Sequence, residues 1–272
     1  MTALVSTLTS LPFTQLRKNR YFYLWYDGFY AAICLTLLAV MHYGHHAPLI
    51  AAWDPRYWLL LPLVCHAQIL CSVWIHNATH NNFPRPFNRL MGELCGLVVI
   101  TRFASWEVIH QRHHRFSDDL DRDPHPVVGS YWSFLVKTVV GVERQLQRIY
   151  FDVHGDTPDN HRYERGRAYV SYATNLLLIA TWYVFLGPLA FFCFMVPASA
   201  VGFLHLVHFN WSTHNAFSPT SDFRPVNIDV GWYRLGNRLW HGIYMHANHH
   251  RRANLFNPAH MAGGEPGIVP GE

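Results

Sequence analysis

The sequence predicts an all-α integral membrane protein, with four transmembrane helices paired as two hairpins and a histidine-rich cap on one side of the bilayer. Three observations predict it. Half of the 272 residues are apolar while only 14% are charged, four apolar runs reach bilayer length, and twenty histidines gather largely at the ends of those runs. A soluble enzyme of this length would carry more charge. Aromatic residues make up 15% of the chain, as expected where amphipathic rings sit at membrane interfaces.

The first run, 23–41, is apolar but for Asp27. The second, 57–75, carries Pro62, His66 and Gln68. The second pair, 169–186 and 189–207, is joined by Gly187 and Pro188, which break the apolar run where a tight reversal is needed. Each run is about 18 to 19 residues, or roughly 28 Å of helix, enough to cross the hydrocarbon core. Basic residues set the orientation. Apart from Arg56, both hairpin tips lack Lys and Arg, whereas the N-terminus (Arg17, Lys18, Arg20), the 77–168 region and the C-terminal segment hold nearly all of them. Both termini and the large loops therefore face the cytoplasm. The N-terminal segment shows no signal-peptide pattern. Segments 87–103 and 131–153 mix apolar with charged residues and read as helices lying at the interface. The chain, 1–272, is expected to form one multi-pass membrane domain, in the inner membrane if bacterial.

The formal charge of +4 comes without a long basic run, so nucleic acid binding has no support. Cys34, Cys65, Cys71, Cys95 and Cys193 lie in apolar stretches without CxxC spacing. That argues against a disulfide framework, a zinc ribbon or an iron–sulfur cluster.

Four histidine clusters carry the chemistry. His76 and His80 leave the second span at an i, i+4 spacing, which puts both imidazoles on one helical face. His110, His113 and His114 form an HxxHH pattern, and His246, His249 and His250 repeat it. Asn210 and His214 leave the fourth span, again at i, i+4. Chance would supply an HxxHH pattern only roughly 0.1 times in a chain with this many histidines, so two copies call for a chemical reason. On the expected topology all four clusters meet on the cytoplasmic side. Nine imidazoles exceed what one ion takes and suit two metals; imidazole accepts iron, copper and zinc alike, so spacing does not choose among them. His66, His205 and His208 read as hydrogen-bonded core residues, and His42, His45 and His46 as solvated groups on the opposite side.

The segments HNATH, HQRHH and HANHH resemble the three histidine boxes of the membrane fatty acid desaturase superfamily. Their order, the hairpin between the second and third, and NWSTH before the third match that pattern, and the resemblance covers 23–258. It implies a non-haem diiron oxygenase. Two iron ions (Fe2+/Fe3+) would be held by His76, His80, His110, His113, His114, His214, His246, His249 and His250, with Asn210 reaching a metal through water and O2 as co-substrate. Asp118, Asp119, Asp121 and Asp123 follow the second box, and Glu107 precedes it by one turn. These carboxylates are candidates to orient ligating imidazoles through their free N–H groups.

The implied substrate is a fatty acyl chain carried as acyl-CoA, acyl-ACP or acyl-lipid, and the protein would be surrounded by membrane lipids. The sequence shows neither a haem domain nor iron–sulfur cysteines, so electrons are expected from a separate donor such as a ferredoxin or a small cytochrome. The tail after the third box, 251–272, is shorter than in many relatives. Desaturation is the expected reaction; a hydroxylase, ketolase or acetylenase shares the same boxes. A non-enzymatic metal or haem membrane protein would need polar ligands near mid-membrane or single opposed axial histidines. The clusters here lie at helix ends instead.

Overall fold

The computed structural model describes residues 19–214, 216–217 and 222–268. Arg17 and Lys18, two of the residues that set the expected orientation, lie outside the described residues. Among the described residues there is no strand, only two isolated bridges, Asn227 to Met245 and Ile228 to Ile268.

Helix α1 spans Phe22–Tyr43. After a 3-10 turn at Pro55–Leu60, α2 spans Leu61–Thr79. Two shorter helices follow, α3 at Arg85–Val98 and α4 at Phe103–Phe116. The long α5, Tyr131–His154, starts at Ser130, whose side chain accepts from the Ser133 N–H. Helix α6, Pro158–Ala190, is capped by Thr157 in the same way. It passes through a π turn at Phe191–Met195 into α7, Val196–Ser212. Two small helices, α8 at Gly231–Leu239 and α9 at His246–Arg251, close the chain around a 3-10 turn at Pro258–His260.

Three helical stretches are long and apolar enough to cross a membrane: Phe22–Tyr43, Pro55–Thr79 and Pro158–Ser212. The third, 55 residues long, would measure about 80 Å if straight, far more than one crossing needs. It is interrupted at Gly187, whose backbone (φ 76°, ψ 165°) is not helical. Glycine is required here: the conformation is nearly closed to other residues, and a Cβ would lie 2.4 Å from the Pro48 Cβ. At this break Leu49 N–H donates to the Leu186 carbonyl (3.1 Å), and Trp53 packs on Phe194.

A charged group inside the apolar helices is paired, as burial demands. Asp27 of α1 meets Arg102 at 2.8 Å, and Arg102 donates to the Ser171 carbonyl and to Asn175. Outward-facing apolar residues such as Trp25, Leu63, Leu176 and Phe192 suit a lipid surround.

The helix expected over 87–103 ends at Val98, and the next begins only at Phe103. At Gly96 a Cβ would sit 2.5 Å from the Thr101 carbonyl oxygen, and Ile100 adopts a left-handed conformation (φ 54°). The chain turns between Val98 and Phe103, which lets α4 carry its histidines beneath α2.

Candidate metal centre

The local fold explains how the boxes are divided. In an α-helix, positions i and i+4 lie about 40° apart, while i+3 falls about 60° to the other side. On α4, His110 and His114 therefore point one way and His113 the other; on α9, His246 and His250 point one way and His249 the other. The structure uses both faces. His76, His80, His110, His114 and His249 form one group, and His113, His214, His246 and His250 a second, with candidate ligand atoms in each group within 4.8 Å of one another. Each HxxHH box thus gives a pair to one group and its remaining histidine to the other. All nine histidines singled out in the sequence converge here.

The facing atoms are ring nitrogens. The Nε2 atoms of His76 and His249 are 2.7 Å apart, those of His80 and His110 3.0 Å, and those of His110 and His114 3.0 Å. Nε2 of His249 lies 3.0 Å from that of His114, and Nε2 of His250 lies 3.1 Å from that of His246. In the second group the tautomers follow from the partners. His113 Nδ1 faces both oxygens of Asp123 (2.9 and 3.0 Å), and His214 Nδ1 both oxygens of Asp118 (3.0 Å each). With the proton on Nδ1, each Nε2 presents a lone pair, and both Nε2 atoms are buried with no hydrogen-bond partner. Lone pairs converging in a dry space repel one another unless a cation sits among them, so these residues fit two metal ions.

Burial sets the charge state. Loss of hydration pushes His80 down to about 4 and, reinforced by neighbouring imidazoles, His114 down to about 3. The same causes hold His110, His113, His246 and His249 well below their usual range. The rings are therefore neutral at physiological pH, the state a metal requires.

Two of the five candidate carboxylates reach the imidazoles. Asp118 sits in the left-handed region (φ 63°), a conformation that Asp adopts more readily than most residues; it ends α4 and faces its carboxylate toward His214. Asp123, fully buried as a side chain, also accepts from the backbone N–H groups of Asp118 (2.7 Å) and His125 (2.8 Å), so the whole turn is organised around it. Burial pushes its carboxyl up to about 8, against the pull of those two N–H groups; a cation held by His113 would draw it back to the ionised form. The other three lie elsewhere. Asp119 pairs with Arg122 at 2.5 Å, and Asp121 is exposed, its N–H bonded to Asp119. Glu107 pairs with buried Arg89 (2.9 Å), which also holds Glu93.

Asn210 donates to the Leu206 carbonyl (2.8 Å) and lines a small cavity with His113, Asp118, Asp123 and His214. His125, which sequence reasoning did not single out, stacks on His113 (4.0 Å, 20°) and lies within ligand distance of His113 and Asp123. Trp106 stacks flat on His110 (5.3 Å, 10°). The lone histidines His66, His205 and His208 are half-buried. His66 accepts from Trp240 (3.2 Å), His205 bonds the Tyr244 hydroxyl (3.1 Å), and His208 stacks on Tyr233.

Comparison with known proteins agrees with this geometry. The family model described as fatty acid desaturase matches residues 55–256, well over half of the chain. Among curated proteins, the chain is similar to an sn-1 oleoyl-lipid 12-desaturase of Picosynechococcus sp., with 33% identity over 100 residues. That match covers 35% of this chain and 27% of the relative, so the chain spans about a quarter of the length of the curated relative it matches. No solved structure matches the chain.

Proposed function

The chain belongs to the fatty acid desaturase family, and on that premise we propose that it inserts a double bond into a fatty acyl chain, using two irons held by the two imidazole groups and dioxygen as oxidant. The observation that carries the reading is the convergence of nine histidines into two groups, with an apolar cavity bordered by Ile75 and Trp106 beside them, Trp106 stacking on His110. In our reading His76, His80, His110, His114 and His249 hold one iron and His113, His214, His246 and His250 the other, with Asn210 beside the second. When bound, the irons supply what acid–base side chains lack, an oxidant able to take hydrogen from an unactivated methylene. The balance is a saturated carbon pair, O2, two electrons and two protons giving an alkene and two waters. The electrons come from a separate donor protein such as a ferredoxin or a small cytochrome.

The protein's own residues supply position and dryness. Asp118 and Asp123 fix two imidazoles as Nδ1–H tautomers and raise their basicity. Trp106 shields His110, and Phe209 packs against His76 and His246, keeping bulk water from the site. One carbon pair must lie still beside the centre, because near-attack geometry decides which bond reacts.

The membrane arrangement belongs to the same proposal. Arg20 donates to Asn160 (3.1 Å) and Thr174 to the Asp27 carbonyl (3.5 Å), which supports α6 running alongside α1. Gln68 donates to Ser199 (3.2 Å) and His76 packs on Phe209, which supports α7 running alongside α2. With the break at Gly187, we read four spans as two hairpins, with the histidines in a cytoplasmic cap.

Expression of wild type and His113→Ala in a host with a compatible ferredoxin system, followed by mass spectrometry of total acyl chains with double-bond localisation, tests the reading. A new unsaturated species absent from the His113→Ala cells is expected. A hydroxyl, keto or alkyne product would replace desaturation with another oxidation at the same centre.

A further inference from the structure

Two cavities share Gln68 of α2 and adjoin the C-terminal end of α3; the nearer lies beside α7, the deeper beside the end of α6 and the π turn. The nearer, about 40 Å3, is lined by Ile75, Thr101, Trp106 and Phe203, and Trp106 stacks on the ligand candidate His110. The deeper, about 300 Å3, is lined almost wholly by apolar side chains, among them Val64, Trp182, Leu186 and Phe194. Its volume lies at the lower end of the roughly 300–1,000 Å3 typical of ligand sites.

The chambers meet at three places: the α3 end, the junction of the π turn with α7, and Gln68 of α2. Val99 of the α3 end faces the nearer chamber and Val98 the deeper. Ser199 of α7 lines the nearer and Met195, in the π turn, the deeper. Gln68 lines both. Its buried side-chain amide donates to the Val98 carbonyl (3.1 Å) and to Ser199 Oγ (3.2 Å), and lies 3.5 Å from Met195 Sδ. Among the described residues, the one polar side chain shared by the two chambers is therefore tied to the α3 end, to α7 and to the π turn. A π turn at the same level is a departure from regular helix that recurs at functional sites.

We propose that Gln68 is a latch that divides the acyl channel and limits how much of the chain extends beyond the reacting carbons; this rests on the desaturase reading of the histidine centre. Gln68 precedes His76 by eight residues, about 12 Å of helix rise. Carbon–carbon bonds of ~1.5 Å at tetrahedral angles advance ~1.25 Å each, so roughly nine or ten methylenes span that distance. A chain with more carbons than that on the methyl side must break the amide's hydrogen bonds to enter the deeper chamber. Gln68 is thus a specificity-determining residue, and the deeper chamber is reserve volume.

The test uses stearic acid carrying a diazirine at its methyl end, photolysed with purified full-length protein and mapped by mass spectrometry. In the wild type, labels are expected on Ile75, Trp106 and Phe203. In Gln68→Ala they should move severalfold toward Val64, Trp182 and Phe194. Gln68→Met, which keeps the bulk and loses the hydrogen bonds, should move them in the same direction, and thermal unfolding verifies that both variants are folded. Identical maps in all three proteins, or labels confined to outward-facing residues such as Leu63 and Phe192, would overturn the latch. In cells, wild-type products should carry the new double bond within about nine or ten carbons of the methyl end, and Gln68→Ala should relax that limit. A product well beyond the limit in the wild type would also overturn it. Absence of any product would count against the desaturase reading, while the labelling map still decides the latch.

Discussion

Asp123→Asn isolates what the buried carboxylate contributes. The substitution keeps the shape of the side chain and removes its charge. Asp123 receives three hydrogen bonds: from His113 Nδ1, shared between its two oxygens, and from the N–H groups of Asp118 and His125. An asparagine has one acceptor oxygen and one donor nitrogen on that fork, so at least one buried N–H loses its acceptor. Leaving such a group unpaired costs about 1–3 kcal/mol. The imidazole also loses the anion that keeps His113 in its Nδ1–H tautomer, an effect of about 10–100-fold on metal affinity in comparable sites, or roughly 1.4–2.7 kcal/mol. The metal held with His113 should therefore weaken by one to two orders of magnitude. The assay is anaerobic Fe2+ titration of metal-stripped protein, with Asp119→Asn as control because Asp119 pairs with Arg122 on the surface. Unchanged affinity in Asp123→Asn, or an equal loss in Asp119→Asn, would refute the reasoning.

Other expectations follow from the same geometry. Adjacent histidines of the third box serve different groups, so His249→Ala and His250→Ala should each lower bound metal while depleting different sites, distinguishable by Mössbauer spectra of 57Fe-loaded protein. Gly187→Ala should cost at least about 1–3 kcal/mol from its backbone conformation alone, with the Pro48 overlap added, and should lower Tm in detergent or abolish folding. Metal-stripped protein should lose stability as pH falls. His80 and His114 are held down to about 4 and about 3 against about 6.5 when unfolded. The unfolded chain therefore binds more protons below pH 6.5, and the loss deepens toward pH 3. Tm measured between pH 8 and 5 checks this; a rise on acidification would contradict it.

The sequence made the histidine set legible because helical periodicity puts the i, i+4 pairs of HxxxH and HxxHH on shared faces, and all nine converge in the structure. Their division into two groups was not legible, since it depends on how α4 and α9 oppose each other. His125 escaped notice because it stands alone in a turn, without periodicity, and gains its place only when that turn wraps the Asp123 carboxylate. Glu107 misled for the opposite reason: helical spacing set it one turn from His110, but buried Arg89 needs a counter-charge and takes it. The four acidic residues after the second box read alike in sequence. Only the left-handed turn at Asp118 and the burial of Asp123 select the two that touch imidazoles. The end of the helix at Val98 was hidden because the amphipathic pattern of 87–103 does not register the close approach of Gly96 to Thr101. Apolar length identified the stretches long and apolar enough to cross a membrane, and Gly187 marked where the longest one breaks.

Iron quantified per chain tests the central claim most directly, in protein purified anaerobically as wild type, His80→Ala and His246→Ala, one variant from each imidazole group. The account predicts two irons per chain in the wild type and close to one in each variant. A wild type holding one iron or none after loading, or variants that each retain two, would contradict a centre built from these two groups.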